Sequence, residues 1–412
     1  MKSALFYSVL IAISATSGAL AQTGGWNTEA SGTRLTLNEV YFADSLTGIA
    51  VGADGTVLRT RDGGTIWEGL VSGTLNTLTS ITLIDTDTGF ANGFNGTVLK
   101  TINGGTTWTS LSSGTTLGLW GASFPEKDVG TIVGENGTIL RTKDGGDTWA
   151  SQPSGTGLTL LEVFFTGADS GWAVGELGMV LHTTNGGISW TSQSGTVSTA
   201  TLYGVHFTDS QHGFAVGDSG TILHTSNAGL TWMRQTSGLT AVLYSVQFTD
   251  DVTGTIVGEG GTILRTFDEG QTWTLQASGT TNALNEVFFT STHHGTVVGL
   301  SGTILTTTTG GVVTSIEHAP PVQGPSGFRL EQNYPNPFNP ATTIRYELAV
   351  DAHVVLTIST PLGQNMVTLV DALQSAGTHQ VRFEARKLAT GLYFYTLRAG
   401  NVVATRKLLL TK

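Results

Sequence analysis

Short stretches of alternating apolar and polar residues recur along most of the chain. Seven of them read LNEVYF (37–42), LTSITL (78–83), LWGASF (119–124), LEVFF (161–165), LYGVHF (202–207), LYSVQF (243–248) and LNEVFF (284–289). Each is followed by a phrase such as GIAVG, then by one such as GTVLRT or GTILRT, and then by a glycine-rich turn. Alternation over five or six residues, bounded by such turns, is typical of half-buried β-strands. The pattern therefore predicts an all-β protein made of short strands.

Tryptophan marks the period of this pattern. The seven tryptophans at the end of the repeated phrases are spaced by 41 residues, with one interval of 42, and they are Trp26, Trp67, Trp108, Trp149, Trp190, Trp232 and Trp273. A unit of about 41 residues with four short antiparallel strands has the size of a propeller blade. We expect the tryptophans to fill the wedges between neighbouring blades.

The last repeat lacks its tryptophan. It reads TTTTGGVVT at 306–314, with Thr309 in place of the usual Asp or Asn and Thr314 in place of Trp. Conversely, Trp26 precedes the first complete repeat. The two partial repeats make one blade if the N-terminal strand pairs with the last repeat, which would leave no free sheet edge. We therefore predict a seven-bladed β-propeller over residues 22–314, closed by an N-terminal strand. An open solenoid would need capping repeats at both ends.

The turn before each tryptophan has a shared chemistry. Sequences such as TRDGGTIW and TINGGTTW place Asp or Asn next to glycine, and both residue types tolerate positive φ. The Asp or Asn side chain can also accept backbone N–H groups of its own turn. The predicted turn residues are Asp62, Asn103, Asp144, Asn185, Asn227 and Asp268.

Composition and charge limit the function. The 56 glycines among 412 residues suit a β protein with many tight turns, and the chain has no cysteine. Residues 22–314 carry 9 Lys and Arg against 24 Asp and Glu, a formal charge of −15, whereas residues 328–412 carry 9 against 5. An acidic body repels phosphate backbones, so nucleic acid is not an expected partner. Lys2, an apolar stretch and ALA at 19–21 predict a signal peptide over residues 1–21, cleaved after Ala21.

Equivalent positions in the repeats suggest candidate sites. A ring of six basic or imidazole side chains, predicted to face solvent, could bind an anionic partner; it comprises Arg59, Lys100, Arg141, His182, His224 and Arg265. Glu39, Glu162 and Glu286 share one place in the first strand of their repeats, but we expect them to lie across the channel from one another, too far apart for paired catalysis. The VG..GT hairpins carry Asp54, Glu135, Glu176, Asp218 and Glu259, without the ligand spacing of a calcium loop. We predict neither a metal site nor a cofactor.

The T-x-[DN]-x-G-x-x-W turns resemble the Asp-box, or bacterial neuraminidase repeat. The whole unit, SGT…L..V.F…G.AVG..GTILRT.DGG.TW, resembles the seven-bladed propellers of the photosystem II assembly and stability factor family over about residues 24–314. That resemblance implies a protein-binding scaffold without catalysis. The acidic propeller, the export signal and the additional C-terminal domain depart from the family, so the photosynthetic role is not carried over.

The C-terminal part differs in composition. HAPPVQGPSG belongs to a Pro/Gly-rich linker, predicted over residues 315–327, and the alternating stretches of residues 328–412 predict a small immunoglobulin-like β-sandwich. QNYPNPFNP (332–340), GLY (391–393) and the ending RKLLLTK resemble the type A sorting domain of the type IX secretion system. The residues that carry this resemblance are Tyr334, Pro335, Asn336, Pro337, Phe338, Gly391 and Tyr393. It implies export by the type IX machinery, followed by removal of the domain and release or attachment to the outer-membrane surface.

These observations favour a secreted or surface-displayed propeller that binds a protein or glycan without catalysis. An Asp-box carbohydrate-active enzyme of the glycoside hydrolase kind is the alternative, and adjacent carboxylates at the channel mouth would favour it. A structural surface-layer or adhesion component is a third reading, which predicts self-association without a soluble ligand.

Overall fold

The computed structural model describes residues 25–193, 198–312, 329–360, 365–385, 388, 390–399 and 402–411. The predicted signal peptide, its cleavage point after Ala21 and the predicted linker lie outside these residues. Contacts within the chain divide it into two compact units, Met1–Thr314 and Ser315–Lys412.

The first unit contains seven four-stranded antiparallel sheets among its described residues. The chain begins with β1 (Gly25–Glu29), which belongs to the last sheet. Sheets 1 to 3 are β2 (Leu37–Phe42), β3 (Gly48–Gly52), β4 (Thr56–Thr60) and β5 (Glu68–Val71); β6 (Leu78–Leu83), β7 (Gly89–Gly93), β8 (Val98–Thr101) and β9 (Thr109–Leu111); and β10 (Leu119–Glu126), β11 (Val129–Gly134), β12 (Ile139–Thr142) and β13 (Ala150–Ser151).

The remaining sheets repeat this order. Sheets 4 to 6 are β14 (Leu160–Phe165), β15 (Gly171–Gly175), β16 (Val180–Thr183) and β17 (Thr191–Ser192); β18 (Leu202–Phe207), β19 (Gly213–Gly217), β20 (Thr221–Thr225) and β21 (Met233–Thr236); and β22 (Leu243–Phe248), β23 (Gly254–Gly258), β24 (Ile263–Thr266) and β25 (Thr274–Gln276). Sheet 7 has β26 (Leu284–Phe289), β27 (Gly295–Gly299) and β28 (Ile304–Gly311), with β1 as its fourth strand.

Both ends of the repeat region therefore meet in sheet 7. Strand β1 pairs antiparallel with β28, with Asn27 opposite Thr306 and Glu29 opposite Ile304. This is the pairing predicted from the last repeat, which lacks its tryptophan. It provides β28 with a partner on its outer side, so the sheet gains the strand that its own repeat lacks.

Apolar side chains pack between consecutive sheets. One buried cluster joins sheet 7 to sheet 1, because Val298 and Ile304 pack with Leu37, Val40 and Phe42. Equivalent clusters join each of the other consecutive pairs of sheets. The core of this unit is thus a series of interfaces between sheets, with the last sheet packed against the first.

A three-residue 3₁₀ turn joins the second and third strands of every sheet. These turns are Ala53–Gly55, Phe94–Gly96, Glu135–Gly137, Glu176–Gly178, Asp218–Gly220, Glu259–Gly261 and Leu300–Gly302. The glycine that precedes each turn packs directly on the chain: a Cβ on Gly175 would lie 2.0 Å from the carbonyl oxygen of Thr159. Since no side chain fits there, the VG..G phrase repeats in the sequence.

Leu177 provides a test of this turn. Its φ of 55° lies in the left-handed region, and the turns of sheets 2 and 3 have Asn95 and Asn136 at the same position. The side chain of Leu177 is 64% exposed. We expect Leu177→Asn to raise the free energy of unfolding by about 1 kcal/mol, because it relieves backbone strain without loss of packing. Leu230→Asn, at an exposed leucine without positive φ, is the control in urea denaturation. An equal effect of both substitutions would contradict the explanation.

The second unit has two antiparallel sheets among its described residues. One contains β29 (Arg329–Leu330), β30 (Ala341–Leu348) and β33 (Gly377–Glu384). The other, in the order β32-β31-β34-β35, contains β31 (Ala352–Ser359), β32 (Asn365–Gln374), β34 (Gly391–Ala399) and β35 (Val402–Leu410). Side chains from both sheets, including Ile344 and Leu356, form one buried apolar core.

Candidate functional site

The Asp-box turns are held together by their own side chains. In sheet 1, Asp62 Oδ1 accepts hydrogen bonds from the backbone N–H groups of Thr65 and Ile66 at 3.1 and 2.9 Å. Thr60 Oγ1 donates to Asp62 Oδ1 at 2.9 Å and accepts from the N–H of Gly64 at 3.0 Å. The same arrangement occurs at Asn103, Asp144, Asn185, Asn227 and Asp268. These residues serve the turn, as their spacing predicts.

The repeat tryptophans pack between sheets. Trp26 is fully buried, lies edge-on to Phe289 with ring centroids 5.9 Å apart, and donates through Nε1 to Gln276 in sheet 6 at 2.9 Å. Edge-on phenylalanine contacts recur at Trp67, Trp149, Trp190, Trp232 and Trp273, and Trp108 packs in the cluster between sheets 1 and 2. Aromatic edge-to-face pairs of this kind add to the energy of burial.

The predicted ligand ring is not an open surface. Arg59, Arg141 and Arg265 are buried, with 8%, 4% and 1% of their surface exposed. Each donates to a backbone carbonyl of the next sheet: Arg59 to Gly104, Arg141 to Ala168 and Arg265 to Thr292, at 2.6, 2.6 and 2.8 Å. The prediction that these residues face solvent is wrong. Each arginine uses one of its hydrogen-bond donors to connect its sheet to the next.

The other three ring positions are also engaged. Lys100 Nζ donates to the carbonyl oxygen of Gly145 in the next sheet at 2.6 Å. His182 stacks on Trp172 and His224 on Phe214, with centroids 4.6 and 4.5 Å apart. Burial lowers the pKa of both histidines, which favours the neutral imidazole. These six positions therefore do not form a cationic ring.

A central cavity of about 610 Å³ lies where all seven sheets meet. The first strand of each of the seven sheets lines it. Most of its lining residues come from three positions of the repeated strand. The second position supplies Asn38, Thr79, Trp120, Leu161, Tyr203, Tyr244 and Asn285; the third supplies Glu39, Glu162, Gly204, Ser245 and Glu286; the fifth supplies Tyr41, Thr82, Ser123, Phe164, His206, Gln247 and Phe288. No lysine or arginine lines it among the described residues.

The three glutamates of the third position lie in one cavity, closer together than their sequence spacing suggested. Glu39 and Glu286 stand on neighbouring strands, because sheet 7 lies beside sheet 1 and Asn285 Nδ2 donates to the carbonyl oxygen of Leu37 at 2.9 Å. The expectation that all three lie across the channel from one another is therefore wrong for this pair. The expectation failed because sheet 7 packs against sheet 1, which brings the first and last repeats together.

Two of these carboxyls accept hydrogen bonds from groups on the neighbouring strand. Glu39 Oε2 accepts from the backbone N–H of Ile81 at 2.7 Å. Glu286 Oε1 accepts from the hydroxyl of Ser245 at 2.6 Å. Both carboxyls are thus hydrogen-bonded to the wall of the cavity.

Glu162 lies against Gly121. A Cβ on Gly121 would come within 2.6 Å of Glu162 Oε1. The same oxygen accepts from the N–H of Val163 at 2.8 Å. Glycine on the neighbouring strand therefore provides the space for this carboxyl, which explains why acidic and small residues share the third position.

The protein environment favours the protonated form of all three carboxyls. Burial raises the pKa of Glu162 to about 8 and that of Glu286 to about 7. Burial, and then the charges of Glu162 and Glu286, hold the pKa of Glu39 well above its ordinary value. All three side chains keep part of their surface open to the cavity. Burial also lowers the pKa of His206 to about 4, so this lining histidine is neutral at pH 7.

Acidic residues stand on five of the seven 3₁₀ turns, at one end of the cavity-lining strands. Glu135, Glu176, Asp218 and Glu259 occupy the first position of four consecutive turns, and Asp54 occupies the second position of the turn in sheet 1. Asp218 lies next to the cavity-lining Tyr203: burial, followed by the charge of Asp218, raises the pKa of that tyrosine to about 12. The acidic face and the cavity are therefore continuous.

Sequence reasoning missed most of the cavity wall. Trp120 lines the cavity and contacts Phe94 edge-on, with ring centroids 5.2 Å apart. Tyr203, Tyr244 and His206 were not singled out. The signal was the fixed place of these residues, at the second and fifth positions of the repeated strand.

The described residues contain neither a metal-binding cluster nor a membrane-spanning helix. No group of three or more His, Asp or Glu side chains there has the arrangement that a metal ion needs. No helix in that part of the chain is long and apolar enough to cross a membrane.

The sorting-motif residues form a loop against the last strand of the second unit. Phe338 is 1% exposed, lies beside Leu410 in a parallel bridge, and contacts Phe383 with ring centroids 6.1 Å apart. Asn336 Oδ1 accepts from the N–H of Leu409 at 2.9 Å. In contrast, Tyr334 is 83% exposed. Most of the motif is thus used to fold the domain, and Tyr334 is available to another molecule.

This contrast predicts two different phenotypes. Phe338→Ala is expected to lower the unfolding free energy of the second unit by about 3–5 kcal/mol, since it empties a buried aromatic position. Tyr334→Ala is expected to change it by less than about 0.5 kcal/mol, because an exposed side chain loses little packing. Hydrogen exchange of the full-length protein, followed at residues 341–348 and 402–410, measures both. Equal exchange rates in the two variants would contradict the placement of Phe338.

Comparisons with known proteins agree with this architecture. The family profile described as photosynthesis system II assembly factor YCF48 matches residues 19–118, 115–197 and 192–278. A profile described as a secretion system C-terminal sorting domain matches residues 332–411. No curated protein matches the chain.

Solved structures resemble the first unit. A structure of YCF48 bound to D1 peptide is 20% identical, with a TM-score of 0.61, over 69% of this chain and 95% of that one. YCF48 from Cyanidioschyzon merolae is 20% identical, with a TM-score of 0.58, over 68% and 98%. The WD40 propeller domain of Doa1 has a TM-score of 0.59 at 14% identity, over 68% and 96%. At these identities the likeness concerns the fold, which is a propeller. With most of its length matched by one profile, the chain belongs to the photosynthesis system II assembly factor YCF48 family, and it ends in a secretion system C-terminal sorting domain.

Proposed function

We propose that this exported protein is a non-catalytic binding module whose seven sheets form one closed seven-bladed ring. Its C-terminal unit, an immunoglobulin-like sandwich, would serve as the address that the type IX machinery reads. The observation that carries the proposal is the presence in one chain of a YCF48-family propeller and a sorting domain. Cleavage in the linker would leave the propeller on the outer surface or in the medium.

The ligand that we propose is a protein segment. A structural relative is described as bound to a peptide, and the present propeller offers a cavity bordered by acidic turns. Its formal charge of −15 over residues 22–314 favours a basic partner over an acidic one. Pockets with a few polar groups among aromatic side chains are the usual form of such sites.

An array of immobilised peptides tests this function. We expect the chain from Gln22 to Lys412 to bind a defined subset of sequences saturably at physiological salt, with the same affinity after removal of residues 328–412. A protein that binds none of the peptides, and none of the surface proteins of its own cells, would contradict the proposal.

The three cavity carboxyls make a glycoside hydrolase the second candidate. Glu39 and Glu286 lie on neighbouring strands, and glycosidases use two carboxyls near each other. However, such enzymes keep one carboxylate ionised while the other is protonated. Here the pKa of all three is raised, which favours the binding function. Turnover of chromogenic glycosides that disappears in Glu286→Gln would reverse this choice.

A further inference from the structure

We propose that the central cavity receives a lysine or arginine side chain of the partner protein, inserted from the side of the acidic 3₁₀ turns. The inference rests on the proposed binding function and specifies the chemistry of its ligand. Three observations carry it: the layer of carboxyls, the aromatic layers on both sides of that layer, and the acidic mouth.

The carboxyl layer lacks a positive partner within the protein. Glu39, Glu162 and Glu286 line the same cavity, and no lysine or arginine lines it among the described residues. Buried carboxylates are stable when they are paired with a cation. In the free protein each carboxyl favours its proton instead. A ligand ammonium or guanidinium group in the cavity would provide the missing charge and allow a carboxyl to ionise.

Aromatic rings lie above and below the carboxyl layer. Trp120, Tyr203 and Tyr244 line the cavity towards the 3₁₀ turns, and Phe164 and Phe288 line it on the other side. Cations interact favourably with aromatic faces, most strongly where water is excluded. The methylene groups of a lysine or arginine side chain can also pack on these rings. The layers therefore match a long apolar stem that ends in a positive charge.

Polar atoms of the wall are left without partners. The indole nitrogen of Trp120 and Nδ1 of His206 have no hydrogen-bond partner in the described structure. Both residues line the cavity. Buried polar groups normally have partners; neither atom is exposed to the cavity, so the two atoms concern the packing of the wall and not the ligand.

The mouth of the cavity would guide a basic segment inward. Glu135, Glu176, Asp218 and Glu259 stand on four consecutive turns of that face. A cleft bordered by one sign of charge raises the local concentration of the opposite sign and the rate of association. A neutral glycan could use the aromatic faces, but it would leave the carboxyl layer without compensation.

Calorimetric titration of the full mature protein with a hexalysine peptide, at 150 mM salt and pH 8, tests the inference. We expect Glu39→Gln/Glu162→Gln/Glu286→Gln to weaken binding at least tenfold, and Trp120→Leu to weaken it several-fold. The matched control Asp87→Asn/Asp128→Asn/Asp251→Asn removes three exposed acids from the opposite side of the sheets and should change affinity less than twofold. A fully Nε-acetylated hexalysine should not bind.

Each other outcome overturns the inference in a recognisable way. Equal weakening by the two triple substitutions would mean that only overall charge attracts the peptide. Binding of maltohexaose that requires the cavity carboxyls, without binding of hexalysine, would assign the cavity to a glycan. If the triple variant fails to fold, Glu162→Gln alone provides the comparison. Peptides from the array that bind the cavity variants as tightly as the parent protein would refute the cavity site but leave the binding function intact.

Discussion

Trp26→Ala is expected to lower the free energy of unfolding of the first unit by about 3–5 kcal/mol, the range for removal of a buried aromatic side chain. The indole is fully buried, lies edge-on to Phe289 and donates to Gln276. It also packs β1 against sheets 6 and 7, where this N-terminal strand completes the last sheet. Its loss should therefore release β1 and expose the edge of β28.

Trp67→Ala is the matched control, because Trp67 is 7% exposed and makes the equivalent contact with Phe42. Both variants should lose stability in urea denaturation followed by circular dichroism. Only Trp26→Ala should accelerate hydrogen exchange of residues 304–311 under native conditions. If both variants exchange equally in β28, Trp26 has no special part in closing the sheet.

The stability of the first unit is expected to fall as the pH rises from 6.5 to 8. The pKa of Glu162 is about 8 in the folded protein and close to 4.5 when unfolded. The folded state thus binds the proton that the unfolded state has released. The stabilisation of the folded state by this bound proton is fully present below pH 4.5 and is lost as the pH rises through 8. Over this range the free energy of unfolding falls by on the order of 1 kcal/mol per pH unit. Glu39 acts in the same direction, and so does Glu286 up to its pKa of about 7.

Other titratable groups of the cavity do not obscure this window. His206, with its pKa lowered to about 4, decreases the free energy of unfolding only as the pH falls below about 6.5. Burial raises the pKa of Tyr41, Tyr203 and Tyr244 above 10. The glutamine of Glu162→Gln cannot ionise, so the free energy of unfolding of this variant should rise relative to that of the parent protein as the pH rises. Glu126→Gln, on the surface, should show the same pH dependence as the parent protein. Parallel profiles for the parent and Glu162→Gln in urea denaturation would show that the carboxyl is already ionised in the folded state.

The fold could be predicted from the sequence because every repeat has the same pattern of strands, turns and glycines. The alternating strands, the Asp-box turns and the glycines of the VG..G phrase occur in every complete unit, and the absence of one tryptophan predicted the pairing of β1 with β28. Trp26 could be assigned to the end of the last repeat because the strands and turns have a fixed order within each repeat.

The candidate site was much less accessible, because it depends on which repeats become neighbours. Glu39 and Glu286 are 247 positions apart in the sequence, yet their strands adjoin. The basic positions were placed on the wrong surface for a related reason: a strand pattern does not tell whether a long side chain reaches solvent or the next sheet. Arg265 reaches the next sheet, where it donates to Thr292.

The intact mass of the protein recovered from the medium and outer surface of its cells tests the account most directly. We expect a species that begins at Gln22 and ends within residues 315–327, so that it contains the propeller without the sorting domain. A full-length chain confined to the periplasm would contradict export by this route, and it would make the second unit part of the working protein.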